Sequence, residues 1–186
     1  AIALLNTLKE SMKAESEATR MYYRLLCIKA NDKAYIRHTS DSLILPVLHY
    51  YTEKKDEHHL PEAYYYAGRV YRDLEDAPLA LDYFQKAIDA LPDNKGYRLK
   101  SKIYSQMGTL FLYQKTYDEA LKILKEARKC NIALKDSASM VFNLRDIANG
   151  YRCLDQNDSS LYYLRKAYYI AKVLRNYDLM AMVQSQ

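Results

Sequence analysis

The run "DEHH" (Asp56, Glu57, His58 and His59) is the densest group of metal-capable and proton-transferring side chains in this sequence. Carboxylates beside imidazoles can ligate zinc or pass a proton. Four consecutive residues on a helix cannot do so together, because adjacent side chains diverge, and no second cluster is placed to complete a tetrahedral set. His38 and His49 stand without recognisable partners. Cys27, Cys130 and Cys153 are odd in number and show no C-x-x-C spacing, so they read as packing residues and leave the compartment open. The glycines Gly68, Gly96, Gly108 and Gly150 form no phosphate-binding loop, and no nucleophile stands beside a base. The chemistry of the residues therefore predicts no catalytic residue, no metal site and no cofactor.

What remains must lie in surfaces. The 186 residues are 49% hydrophobic and 27% charged, the balance of a folded chain rather than a disordered one. The net charge of +5 is spread through every segment and interleaved with acids, which argues against a nucleic-acid footprint. The densest basic run, "KGYRLKSK" (Lys95, Arg98, Lys100, Lys102), reads as a solvated junction. No run approaches a membrane span. The start "AIALLNTLKE" has neither an initiator Met nor a basic leader, so the chain is expected to be processed or part of a longer protein. Twenty Tyr and no Trp suit half-buried helix faces, where a ring packs and its hydroxyl meets water.

The elements that position these surfaces emerge when the chain is compared with itself. Gly68, Gly108 and Ala148 lie forty residues apart, as do Tyr71, Phe111 and Tyr151. The same interval links Tyr64, Tyr104 and Leu144; Ala80, Ala120 and Ser160; Phe84, Leu124 and Leu164; and Ala87, Ala127 and Ala167. Six such columns over three units mark an internal repeat. Each unit reads as two amphipathic helices with a short turn between them, such as "LEDAP", where Asp76 is a candidate N-cap. Small residues at the crossings let the backbones approach, and the aromatic and Leu columns fill the space around them.

This pattern resembles the tetratricopeptide repeat, whose signature is W-x2-L-G-x2-Y, then A-x3-F-x2-A, then P. The first unit carries it as Tyr64, Ala67, Gly68, Tyr71, Ala80, Phe84, Ala87 and Pro92. The second keeps Tyr104, Met107, Gly108, Phe111, Ala120 and Ala127, with Leu124 for the Phe and Ile132 for the Pro. The third keeps Ile147, Tyr151 and Ala167, with Ala148 for the Gly, Ser160 for the small residue and Lys172 for the Pro. Loss of the Pro predicts longer second helices in the later units.

The resemblance implies an all-α, right-handed solenoid of antiparallel helix pairs. Residues 1–60 would form a leading helix and a degenerate pair, with Thr39 or Ser40 capping its second helix and Pro46 bending it. Repeat units would follow at 61–100, 101–140 and 141–176, and 177–186 would begin a further one. The last segment is expected to lay Met180 and Val183 on the preceding helix and to leave an apolar edge open to self-association.

In such arrays the first helices line a groove. Carried over by position, its residues are Glu62, Tyr65, Arg69, Arg72 and Asp73; then Lys102, Ser105, Thr109, Leu112 and Tyr113; then Phe142, Arg145, Asn149, Arg152 and Cys153. Arg69 and Arg145 are expected to face solvent. The implied function is a non-catalytic scaffold binding a protein or peptide segment, with acidic groups matching the basic stripe. The family's carboxylate clamp is not carried over, because its places hold Tyr65, Arg69, Gln106, Phe142 and Asp146. The repeats also look like the sensory arrays of bacterial membrane-anchored regulators, which would make the region periplasmic; otherwise it would be cytoplasmic. A peptide-pheromone receptor, with Asn149 gripping backbone, is a variant of the binding reading. A structural spacer or oligomerisation element without a groove ligand is the alternative.

Overall fold

Antiparallel helix pairs joined by short turns account for nearly all of the structured backbone. The computed structural model describes residues 1–92 and 96–185, so Lys95 of the basic run lies outside the described residues. The chain divides into two compact units, Ala1–Pro92 and Asp93–Gln186. The first holds α1 (Ile2–Leu8), a short 3-10 turn, α2 (Glu17–Lys33), α3 (Ile44–Glu53), α4 (Leu60–Asp73) and α5 (Ala77–Asp89). The second holds α6 (Tyr97–Tyr113), α7 (Tyr117–Leu134), α8 (Ser137–Cys153), α9 (Asn157–Val173) and α10 (Tyr177–Gln184). The described residues form no strand, and none of their helices is long and apolar enough to cross a membrane.

The small-residue columns sit at the crossings. Ala80, Ala87, Ala120, Ala127 and Ala167 are fully buried, and Ala148 nearly so. A Cβ built on Gly68 would come within 2.5 Å of the Phe84 ring, and one on Gly108 within 2.5 Å of the Leu124 side chain. Each glycine thus admits the large residue of its own pair, which is itself wholly buried. Tyr71 stacks on Tyr83 at 5.3 Å and Tyr151 on Tyr163 at 5.4 Å, so both tyrosines of this column find a ring on the second helix of their pair. Tyr64, Tyr104, Phe111 and Tyr151 are half-buried, and Pro92 is exposed.

Helix lengths follow the sequence signals in part. The second helices of the later pairs, α7 and α9, run 18 and 17 residues against 13 for α5. The Asp76 carboxylate caps α5 by accepting from Leu79 N–H. Two local expectations are corrected. Neither Thr39 nor Ser40 caps α3, which begins at Ile44; Ser40 Oγ instead accepts from Ser42 N–H. Pro46 lies in the first turn of that helix, where its missing N–H forfeits no intrahelical bond, so it has no reason to bend it. At the far end Val183 and Leu179 are buried against Val141, Leu144, Ala167 and Ala171, and Met180, half-buried, packs against the same cluster.

Seven of the turns use left-handed backbone without a glycine, whereas Gly96, before α6, is left-handed at φ 76°. Tyr35, Lys55, Glu75, Lys115, Lys135, Asp155 and Arg175 all take left-handed backbone, with φ from 51° to 66°. The N–H of the residue after each reaches back to a carbonyl five residues earlier, as Thr116 does to Phe111 at 3.0 Å. This closes each helix C-terminus in the Schellman pattern, at the cost of placing a side chain where L-residues are disfavoured. Lys115→Gly should therefore stabilise the protein by about 0.5–1 kcal/mol, the left-handed penalty less the extra entropy of glycine. Lys122→Gly, at an exposed interior position of α7, should destabilise by about 1 kcal/mol. Urea unfolding of the two variants should move in opposite directions.

Candidate functional site

In the first unit the stripe expected to face a partner is already occupied. Tyr65 is only 5% exposed, and its ring meets those of Tyr66 and Phe84. The Arg69 guanidinium stands 2.5 Å from the Asp32 carboxylate of α2, with the side chains 14% and 11% exposed. Lys29 of the same helix donates to Glu62 at 2.6 Å. Arg72 donates to its neighbour Asp73 at 2.6 Å, and Asp73 also accepts from His38 N–H at 3.1 Å. Arg37 reaches the Asp73 carbonyl and the Glu75 carboxylate. The expectation that Arg69 faces solvent is thus corrected. Helix α2 belongs to the degenerate leading pair, and two of its polar residues, Lys29 and Asp32, meet α4 on the stripe expected to bind a ligand.

The same network encloses His38, which is 8% exposed and whose Nε2 has no hydrogen-bond partner among the described residues. Burial lowers its pKa below 6.5, aided by Arg69 and Arg72 and opposed by Asp73 and Asp32. Asp73 shows the reverse balance: burial would raise its pKa, but the Arg72 and His38 hydrogen bonds hold it below the usual carboxylate value.

The "DEHH" run serves a turn. Asp56 accepts from the backbone N–H groups of His58 and His59 at 3.0 Å and pairs with His59 Nδ1 at 2.8 Å. The His59 ring stacks on Tyr51 at 5.1 Å. Among the described residues no group of three or more His, Cys, Asp or Glu side chains could hold a metal ion. Of the cysteines, Cys130 is buried and burial raises its thiol pKa; Cys27 is half-buried; Cys153 is exposed, against the packing role expected of it.

The second unit presents an actual concavity. Between α6 and α8, the first helices of their pairs, a cavity of about 230 Å³ is lined by Thr109, Leu112, Tyr113, Arg145, Asp146 and Asn149. Thr109, Tyr113, Arg145 and Asn149 are residues that the sequence pattern put in a groove. Tyr113 is 79% exposed. Arg145 is not the free cation expected: it donates to Asp146 through Nε at 2.9 Å and Nη2 at 2.6 Å, and Nη1 lies 3.0 Å from the Met182 sulfur. Asp146, set aside as a failed clamp position, is the acid that neutralises the site. Burial raises its pKa, with Arg145 opposing. Asn149 Oδ1 accepts from Arg152 Nη2 at 2.7 Å. Lys102 is exposed on the first turns of α6 and does not line the cavity.

Residues 61–94 match the family model of the tetratricopeptide repeat. This segment is a tetratricopeptide repeat. Its first helix is α4 and its second α5, and the helix pairs of the second unit follow the same scheme. Among solved structures, the fold is similar to that of a signal-transduction ATPase with numerous domains from Pyrococcus horikoshii that has a tetratricopeptide repeat sensor. The TM-score is 0.81 at 16% identity, over 95% of this chain and 28% of that much longer one. MamA is similar with a TM-score of 0.67 at 16% identity, over 92% of this chain and 88% of that one. The N-terminal domain of stress-induced protein-1 from C. elegans gives 0.56 at 14% identity, over 67% of this chain and 92% of that one. No curated protein matches the sequence. At these identities the likeness is one of fold: all-α helical repeats of the tetratricopeptide type, a family that commonly binds proteins or peptides.

Two consequences are measurable. Arg69→Glu would set a second carboxylate against a buried Asp32 and should cost about 3–5 kcal/mol rather than being neutral. The His38 imidazole has a folded pKa below its unfolded value, so the unfolded chain binds the proton more tightly. Its contribution to stability is complete above pH 6.5 and is lost as pH falls below that value. Urea midpoints measured between about pH 7.5 and about pH 5.5 should fall on acidification, and less steeply in His38→Gln.

Proposed function

We propose that this region is a non-catalytic scaffold whose second unit grips a short extended segment of a partner protein in the α6–α8 groove. The supporting observation is the cavity lined jointly by Thr109, Tyr113, Asp146 and Asn149 from two consecutive first helices. Its groups are those that hold a peptide backbone. The Asn149 amide has an N–H side without a partner among the described residues, Thr109 and Tyr113 carry hydroxyls, and the Tyr113 ring offers exposed apolar area. Because Asp146 neutralises Arg145, the groove does not select strongly for acidic partners, and the basic-stripe expectation is narrowed accordingly. In the first unit, where Arg69, Arg72 and Tyr65 are internally engaged, the stripe acts as structure rather than as a docking face. A repeat array that receives a signal, as in the sensor-bearing ATPase that it resembles in fold, is compatible with this division.

Affinity for one short segment should be micromolar in order of magnitude, since little area is buried and the segment must be ordered. Peptides selected from a random library on the immobilised protein should lose about tenfold or more in affinity with Asn149→Ala or Tyr113→Ala. They should be unaffected by Lys86→Ala, whose side chain is exposed and paired with Asp82. Failure to select any peptide, or equal binding by all variants, would favour the spacer reading.

A further inference from the structure

A second and larger cavity, about 470 Å³, opens between α7 and α9 of the second unit, with α8 as its floor. Its base is apolar: Met140, Leu144 and Ile170 belong to or abut the buried cluster of this unit. Two exposed rings of α9 flank it, Tyr162 at 53% and Tyr169 at 68% exposure. Three cations complete the lining, Arg128, Arg165 and Lys166, and no carboxylate joins them.

This charge arrangement differs from that of the cations that are paired elsewhere in the chain. Arg69, Arg72, Arg145, Lys29, Lys86 and Lys129 each have a carboxylate within ion-pair distance. Arg128, Arg165 and Lys166 have none among the described residues, whose ion pairs include none of the three. Lys166 instead sits over the Tyr162 ring at 4.3 Å. Its hydrogen bond and charge, with a smaller push from Arg128, lower the Tyr162 phenol pKa. Three like charges around an apolar floor repel one another, and their field focuses on the cavity mouth. An anion there would relieve the repulsion, while an apolar body would displace water from the floor. The volume lies within the range of small-molecule sites, which join an apolar wall to a few polar groups.

We propose that the α7–α8–α9 cavity binds a small amphipathic organic anion, an apolar body bearing one carboxylate or sulfonate head, with Arg128, Arg165 and Lys166 holding the head. The site is separate from the α6–α8 groove and does not depend on the peptide reading. Tyr162 and Tyr169 wall the apolar body, and Met140, Leu144 and Ile170 receive it.

The test uses the whole chain with the fluorescent anion anilinonaphthalene sulfonate, titrated near neutral pH and then displaced. Saturable binding in the micromolar range is expected. Dodecanoate should displace the dye, whereas dodecanol and dodecyltrimethylammonium should not at equal concentration. Arg165→Glu combined with Lys166→Glu should weaken dye and dodecanoate at least about tenfold. Lys172→Glu, exposed on α9 but outside the cavity, should bind as the parent does. In the unsubstituted protein, dodecanoate should shift the methyl resonances of Met140 and Ile170, a readout that no variant's folding can confound. The proposal is overturned by absence of saturable binding, by equal displacement with the alcohol or the cation, or by equal loss in Lys172→Glu. Methyl shifts that spare Met140 and Ile170 would also overturn it, as would displacement by an acidic peptide where dodecanoate fails, since the occupant would then be a protein segment.

Discussion

The close approach of two helices at a residue without a side chain is the constraint on which the rest of this structure depends. At Gly68 the α4 backbone comes so near the Phe84 ring that one added carbon would overlap it, and at Gly108 the same holds for Leu124. The approach fixes the spacing within each pair, which in turn buries Ala80, Ala87, Ala120 and Ala127 completely. Gly150 does a related service between pairs, where a Cβ would come within 2.9 Å of Leu121. Protein interiors tolerate neither voids nor overlap. The size of the residue at each crossing therefore sets where the first helices stand and which of their side chains reach solvent.

Electrostatics then divides the two units. In the first, the carboxylates of α2 and α4 satisfy the cations of the stripe, and a buried imidazole is held neutral among them. In the second, Asp146 neutralises Arg145 inside the groove, while three cations on the α7–α9 side keep no carboxylate. One repeat type thus presents a closed face in one place and open faces in another. The differences lie at positions outside the packing columns, where the repeat places no demand on residue type.

That division also explains what the sequence did and did not reveal. The columns were legible because every unit must solve the same packing problem: Gly68 and Gly108 recur because Phe84 and Leu124 recur. The longer α7 and α9 were legible in the loss of proline. The pairing of Arg69 is hidden in the sequence because its partner Asp32 lies in the leading pair, which shares no signature with the repeats and so offers no register to align. The pairing of Arg145 is hidden because its partner is its sequence neighbour, and adjacent side chains usually diverge; here the guanidinium folds back onto Asp146. The seven left-handed turn residues recur at multiples of twenty residues, but their chemical variety, Tyr to Asp to Lys, hid a backbone requirement that glycine would have advertised. The tyrosine stacking partners Tyr83 and Tyr163 share a column with Ile123, so the column did not stand out.

The most direct measurement is a double-mutant cycle at the crossing itself, with Gly68→Ala, Phe84→Ala and the pair compared by urea unfolding. Gly68→Ala alone should destabilise by about 1–3 kcal/mol through overlap with the ring. With the ring already removed, the added methyl group meets no obstacle, so its cost should nearly vanish and the coupling should exceed about 1 kcal/mol. Strict additivity of the two substitutions would contradict the account, because the glycine would then be tolerated at the crossing rather than required by it.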